Sequence, residues 1–351
     1  MLKKNGIYYL PTDASNKLLF LVQFALKLLT FFFVHPKKCL HFIALIRHSN
    51  KPIKTKLKQF LIWSKFISNR VDVVHIQWAS HIYLFEEILD TSYFKTMVSL
   101  RGRLINITPL ADLDLKALYQ KTFPKVNQFH AVTHHIKKQA MIYGAAEEKI
   151  KVIYSGVDIH TFEQFKKTNY IKKQNLKILS VGRQHWKKGY NYALEALKIV
   201  LDNNIKASYT IIGASDSEEI IYNVYDLNIK DNVTLTSKME YKEVLKEMQK
   251  ADVLVLPSVS EGLANVVIEA MALGLPVIST NAVGMPELVI HNKTGLLYKN
   301  RNVNDLAEKI KDFSVMSVKE VESMAANALQ KVIEQHNRKM FKQRFNDFYK
   351  C

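Results

Sequence analysis

Residues 257–286 read Pro-Ser-Val-Ser-Glu-Gly-Leu-Ala-Asn-Val-Val-Ile-Glu-Ala-Met-Ala-Leu-Gly-Leu-Pro-Val-Ile-Ser-Thr-Asn-Ala-Val-Gly-Met-Pro. The apolar run Val253 to Leu256 ends at Pro257, a polar loop carries Glu261 and Gly262, and a helical run opens near Asn265 and stops at Gly274. A second apolar run follows at Val277 and Ile278. The pattern is strand, loop, helix, strand. Such a unit sets the loop and the helix start at the carboxyl edge of a parallel sheet, where unpaired peptide N–H groups and the helix dipole favour an anion. Glu261 falls in the loop and Glu269 about one turn into the helix, so both carboxylates can face one crevice. Carboxylates repel phosphate; the partners that suit them are hydroxyls, which donate hydrogen bonds.

An upstream unit carries the opposite charge. Lys177 to Val181 is an apolar run, Gly182-Arg183 a turn, Lys187-Lys188-Gly189 a basic loop, and Tyr190 to Leu201 an amphipathic helix with Ala193, Leu194, Leu197, Val200 and Leu201 on one stripe. A diphosphate on Arg183 and Lys188, with sugar hydroxyls on Glu261 and Glu269, describes a nucleotide sugar. No Gly-x-Gly-x-x-Gly opens a helix, which argues against a pyridine-dinucleotide site.

Gly182-Arg183-(x)4-Lys188-Gly189, followed by Glu261-(x)7-Glu269, resembles the donor half of a retaining glycosyltransferase of family 4. Gly284-Met285-Pro286-Glu287-Leu288 and Asn292-Lys293-Thr294-Gly295-Leu296-Leu297 resemble later donor-side segments of that family, and the likeness runs from about Val152 to Tyr298. The resemblance implies an α/β chain with the GT-B fold: two Rossmann-like domains facing a central cleft, the N-terminal one abbreviated. It also implies that Arg183 and Lys188 hold the diphosphate, Glu269 binds the ribose hydroxyls and Glu261 contacts the transferred sugar. Gly182 and the backbone amides of Gly262, Leu263, Ala264 and Asn265 would complete the cradle. Donor binding would use these basic side chains without a metal or other cofactor, the donor being a UDP- or GDP-sugar.

The N-terminal half carries weaker signals. Asp72 to Trp78 and Lys95 to Leu100 resemble core strands of the family, leaving His75 and Arg101 as acceptor-side candidates. Many relatives have histidine where Arg101 stands; a guanidinium cannot act as a general base at neutral pH, though it can hold a phosphate or sugar oxygen. Val126 to Val132 is a further strand, and Lys151 to Asp158 resembles the link into the donor domain. His75, His81 and His134 match no zinc spacing. Relatives begin with a strand, a Gly-containing loop and a long helix, where Met1 to Leu10 offers only Gly6-Ile7-Tyr8-Tyr9-Leu10. Val303 to Phe313 and Val318 to Gln335 are helical by periodicity, and Met340 to Tyr349 suits a C-terminal helix. The expected domains are 1–165 on the acceptor side, 166–335 on the nucleotide-sugar side, and 336–351 as a helix packing back on the first, with a hinge near Val157 to Asn175.

With 351 residues, 48% of them hydrophobic, the chain is long enough for two cores. Its formal charge is +18, and residues 1–70 hold 13 Lys or Arg against one acid, Asp13, a surplus of 12. A basic block beside apolar helices favours anionic lipid headgroups over nucleic acid, because its aromatics lie in helical runs and form no nucleic-acid module. Leu18 to Val34 is too short to span a bilayer, which needs about 20 apolar residues. It is also interrupted by Gln23 and Lys27. With Leu40 to Ile46 and Leu57 to Ile67 it reads as a set of helices resting on a membrane surface. Two cysteines, Cys39 and Cys351, suggest no disulfide framework and a cytoplasmic setting at the inner face of the membrane. The expected activity is sugar transfer to a hydroxyl of a glycan or lipid-linked acceptor, in cell-surface polysaccharide synthesis. The competing reading is a catalytically impaired nucleotide-sugar-binding subunit of a membrane-associated complex.

Overall fold

The computed structural model describes residues 3–4, 7–8, 17–168, 170–171 and 174–350. Gly6, Tyr9 and Leu10 of the N-terminal segment, Asn169, Lys172 and Lys173 of the expected hinge, and Cys351 lie outside the described residues. The chain divides into two units. One comprises residues up to Leu100 with Pro109–His130 and Ala140–Ile150; the other comprises Arg101–Thr108, Ala131–Gln139 and the chain from Lys151 onward.

The first unit begins, after a short antiparallel pairing of Lys3–Lys4 with Ile7–Tyr8, with three helices: α1 (Lys17–Val34), α2 (Pro36–Arg47) and α3 (Ile53–Ser68). Pro36 at the first turn of α2 and Pro52 before α3 place each start upstream of the apolar stripe that marks it in sequence, since proline lacks the N–H that a helix start leaves unpaired. The helices meet through aromatic rings. Phe31 stacks on Phe42 at 5.7 Å between centroids, Phe42 meets Trp63 edge-on at 5.5 Å, and the Trp63 indole N–H donates to the Leu84 carbonyl at 2.9 Å. The opposite face of α1 leaves Leu21, Val22, Leu26, Leu29, Phe32, Phe33 and Val34 exposed, Phe33 by 79%. No helix among the described residues is long and apolar enough to cross a membrane.

Four strands follow: β1 (Val73–Ile76), β2 (Lys95–Leu100), β3 (Gln128–Ala131) and β4 (Ile150–Val152), in the spatial order β1-β2-β3-β4. β1 and β2 run parallel with His75 opposite Met97. Helix α4 (Leu113–Thr122) is capped by Asp112, whose carboxylate accepts from the Leu115 N–H, and α5 (His134–Ile142) follows β3.

The second unit is a six-stranded parallel sheet built from β5 (Leu176–Val181), β6 (Ala207–Ile212), β7 (Val233–Thr236), β8 (Val253–Leu256), β9 (Val277–Thr280) and β10 (Leu296–Tyr298). Its order is β10-β9-β8-β5-β6-β7. β8 and β9 are buried throughout, which is why they read as unbroken apolar runs. One face is covered by α6 (Tyr190–Asp202), α7 (Glu218–Asp226) and α10 (Val303–Val315). The other is covered by α8 (Tyr241–Lys250), α9 (Asn265–Leu273) and α11 (Val318–Gln335). Ser317 and Glu320 close a capping box at the start of α11, and Gly274 ends α9 in the left-handed conformation. The last helix, α12 (Arg338–Lys350), starts beside residues 155–158: the Val157 N–H donates to the His336 carbonyl at 2.7 Å and the Arg338 N–H to the Val157 carbonyl at 2.9 Å.

Strand order matters for function here. From β5 the chain runs outward one way through β6 and β7, then returns and runs the other way through β8, β9 and β10. Loops leaving β5 and β8 therefore part at their carboxyl ends and open a crevice at that reversal, the place where doubly wound sheets bind ligands.

Candidate active site

Lys188 lies in the loop after β5 and Glu261 in the loop after β8, one on each side of the reversal. The structure brings them together: Lys188 Nζ stands 2.7 Å from Glu261 Oε1, with the two side chains only 17% and 12% exposed. Little water screens a pair so withdrawn. Ser258 donates to the same carboxylate oxygen at 3.3 Å. Backbone holds the two loops in register, since the Val259 N–H donates to the Lys187 carbonyl at 2.7 Å. Gly189 turns the lysine loop into α6 with φ +64°, and a Cβ there would lie 2.2 Å from the Pro257 carbonyl oxygen. Only glycine fits.

The helix start at Asn265 forms as the sequence predicts. Its N-cap, Ala264, has no side chain able to accept from the first turn, where the Val267 N–H donates to the Ala264 carbonyl at 3.0 Å and the amides of Asn265 and Val266 precede it at the helix start. Gly262 and Leu263 carry the loop into it. Gly262 is closely invested: a Cβ on it would come within 3.0 Å of Gly102, and a Cβ on Gly284 would come within 1.9 Å of the Gly262 carbonyl oxygen. Arg101-Gly102 is thereby fixed next to the Glu261 loop. The neighbouring Val283 has φ +56°, a left-handed backbone that a β-branched side chain rarely adopts.

Gly182 and Arg183 leave β5 along a cavity of about 270 Å3 that Gly213, Ser237, Lys238 and Met239 also line. The Tyr190 hydroxyl donates to the Gly182 carbonyl at 2.7 Å, fixing the turn from which Arg183 projects. Glu269 lies inside the first turns of α9, where burial raises its carboxyl pKa above the ordinary carboxylate range; a hydrogen bond from the Tyr241 hydroxyl partly offsets the rise. The sequence gives no reason to pair Tyr241 with Glu269, because Tyr241 opens a different helix and nothing in its local pattern points to that carboxylate.

His75 belongs to the first unit. Its Nε2 stands 2.9 Å from the Ser99 hydroxyl, which stands 2.9 Å from Nδ1 of the buried His130. One hydroxyl carries one proton, so only one of these contacts is donated by serine and the other imidazole must supply its own N–H. Ser99 and His130 are further residues the sequence gave no reason to pair with His75. Among the described residues no three His, Cys, Asp or Glu side chains gather to hold a metal ion.

Glu287, in the segment Gly284 to Leu288, has a local role. Its carboxylate accepts from the N–H groups of His134 and His135 at 2.8 Å each, at the N-terminus of α5, and from the Tyr154 hydroxyl at 3.1 Å. Burial and that carboxylate push the Tyr154 phenol up to about 12.

Residues 161–331 match the family model of the glycosyl transferases group 1. The chain is 31% identical over 222 residues to the amylovoran biosynthesis glycosyltransferase AmsK of Erwinia amylovora, covering 59% of this chain and 54% of that one. It is 26% identical over 309 residues to the N,N'-diacetylbacillosaminyl-diphospho-undecaprenol alpha-1,3-N-acetylgalactosaminyltransferase of Campylobacter jejuni, covering 85% and 78%. The chain spans about half the length of the first curated relatives it matches. Among solved structures, Anabaena HepE in complex with UDP superposes with a TM-score of 0.70 at 18% identity, covering 82% of this chain and 81% of that one, a likeness of fold. The two parallel-sheet, Rossmann-like domains are those of GT-B glycosyltransferase structures. The reversal crevice and the paired loops both fall within residues 161–331, the segment that matches the glycosyl transferases group 1 family model.

Proposed function

We propose that this protein transfers a sugar from a nucleotide diphosphate sugar to an acceptor hydroxyl with retention, as a family 4 enzyme, in the synthesis of a cell-surface polysaccharide. The observation that carries the reading is the Lys188–Glu261 pair at the strand reversal, its glutamate in the loop that leads into α9. An incoming diphosphate competes with Glu261 for the Lys188 ammonium. Once Lys188 turns to phosphate, the Glu261 carboxylate is released to accept from sugar hydroxyls. Arg183 supplies the second cation, Glu269 accepts from the ribose hydroxyls, and the cavity wall at Ser237–Met239 receives the base.

Bond making and breaking take place on one face of the sugar. The bond from C1 to the phosphate oxygen breaks, the acceptor oxygen bonds to C1 on the same face, and the acceptor proton passes to the departing phosphate oxygen. Charge grows on the diphosphate as it leaves, so Lys188 and Arg183 stabilise the transition state more than the ground state and take the place of a divalent cation. Arg101, beside the Glu261 loop, can hold an oxygen of acceptor or sugar but no proton-accepting role falls to it. UDP in HepE and the lipid diphosphate in the name of the Campylobacter enzyme support UDP-sugar and a lipid-linked acceptor as the first pair to try. The exposed apolar face of α1 and the basic surplus of residues 1–70 support peripheral contact with the membrane that would present such an acceptor.

Lys188→Ala is expected to lower turnover at least about tenfold, as loss of one charge-stabilising donor does. Donor turnover by the purified chain, followed by release of nucleoside diphosphate, checks it. Full activity of the variant removes Lys188 from the site, whereas tight nucleotide binding with no turnover in the wild type favours the binding-subunit reading.

A further inference from the structure

The lysine loop borders a second cavity. This one, of about 570 Å3, shares only Gln184 with the cavity beneath Arg183. Its most prominent wall is Trp186, on the short turn Trp186–Lys188, with the indole 61% exposed and the His185 ring tilted against it at 5.7 Å. Burying a large apolar side chain is favourable, so an indole held in water beside a cavity invites a ligand that covers it.

The rest of the lining sets the chemistry of that ligand. Glu195 of α6, Glu219 of α7 and Arg301 line it, and Asn191 donates through its amide to Glu219, holding that carboxylate in place. A phosphate or other anion would meet two carboxylates, and an organic cation would meet Arg301. A neutral ligand rich in hydroxyls can donate to the glutamates and accept from the arginine at once. Pyranose rings add an apolar C–H face of the size of an indole.

We propose that this cavity is an accessory saccharide subsite, in which one neutral pyranose unit of an oligosaccharide stacks on Trp186 while Glu195, Glu219 and Arg301 bind its hydroxyls. On the transferase reading its occupant is a distal unit of the acceptor or product glycan, though saccharide binding is measurable without any transfer. The subsite adjoins the loop that carries Lys188, so a glycan seated there is anchored within a few residues of the reacting diphosphate.

Saturation-transfer NMR with maltotriose, cellotriose and tri-N-acetylchitotriose tests the assignment, with AMP as a nucleobase control. Wild type and Trp186→Tyr are expected to transfer saturation to the ring C–H protons of one pyranose unit. Trp186→Ala should lose that signal, with an affinity at least about tenfold weaker, since a stacked aromatic and its burial account for well over 1.4 kcal/mol. Because the indole is mostly in water, the melting temperature of the alanine variant should match wild type, and its affinity for UDP and GDP should be unchanged. Absence of transfer to all three saccharides, or equal transfer in Trp186→Ala, overturns the proposal. So does Trp186-dependent binding of AMP in place of sugar. Failure of wild type to bind either UDP or GDP strikes the donor site instead and leaves the saccharide result standing.

Discussion

Glu269 is a carboxylate whose usefulness depends on its charge. Burial raises its pKa, so it loses that charge at a higher pH than an exposed glutamate would. If the ionised form accepts from the ribose, nucleoside diphosphate affinity holds at neutral pH and falls as the medium is acidified toward the ordinary carboxylate range. Glu269→Gln is expected to weaken binding at neutral pH by roughly tenfold or more, from the ~1.5–3 kcal/mol of hydrogen bonds to a charged group, and to flatten the pH dependence. Titration calorimetry of both proteins with UDP and GDP checks this, the ligand's own ionisation cancelling in the comparison; parallel pH profiles would refute the ribose role. Val283 presents the opposite case, a residue that the fold tolerates at a cost. A left-handed, β-branched residue stores about 1–3 kcal/mol, and glycine would add about 0.5–1 kcal/mol of unfolded-state entropy, so Val283→Gly should raise stability in urea by about 0.5–2 kcal/mol. A loss would mean that packing of the half-buried isopropyl group outweighs the strain. Legibility at this scale follows chain distance. Glu261 and Glu269 are readable together because loop and helix start are contiguous, and Lys188 because it sits between a strand and a helix. Tyr241 with Glu269, Ser99 with His75, and Glu287 with the amides of His134 and His135 are not, because tertiary folding alone brings them into contact.

Among elements, periodicity succeeds where one face is buried and the other wet. Val318–Gln335 is the helix its sequence pattern outlines, closed by the Ser317 capping box, and Val253–Leu256 is the strand its apolar run outlines. The stretch between Ala207 and Lys250 holds two strands and two helices that the pattern did not bring out. β7 is an edge strand with alternating threonine and only partial burial, and the amphipathic α7 and α8 are short. The junction of α11 with α12 offers a test of its own. His336 there is 1% exposed, its Nδ1 lies 2.9 Å from the Ser155 carbonyl, and burial, with smaller contributions from Lys331 and Arg344, lowers its pKa to about 4. In the unfolded chain the imidazole titrates near 6.5, so the unfolded state binds the extra proton first. Stability is therefore complete above about pH 6.5 and declines toward about pH 4, by up to ~3 kcal/mol. Urea melts at both ends of that window should show a smaller decline in His336→Asn than in wild type; equal declines would place the acid sensitivity elsewhere.

For the whole molecule, the parallel sheet and the paired loops at its reversal are legible from sequence because the two strand-loop-helix units that carry Lys188 and Glu261 announce themselves. The first 70 residues are legible only as a charge and an apolar content. Their structure adds a face: among the described residues, seven exposed apolar side chains on α1, in a stretch whose single acid is Asp13. Vesicles containing phosphatidylglycerol are expected to sediment the protein, and phosphatidylcholine vesicles to leave most of it in solution. Each Lys or Arg near an anionic surface contributes about 1 kcal/mol, so high salt should release it, and Leu26→Gln with Phe33→Gln should weaken it at any salt. Sedimentation that ignores both lipid charge and the double substitution would dismiss the membrane contact.

The short bond from the Val259 amide to the Lys187 carbonyl ties the two sides of the crevice by their main chains. A force applied to one loop is thus delivered to the other without passing through any side chain. On the proposed reading, grip on the leaving group and grip on the sugar would tighten or slacken as a single jaw, and substituting a functional side chain would leave that main-chain tie in place.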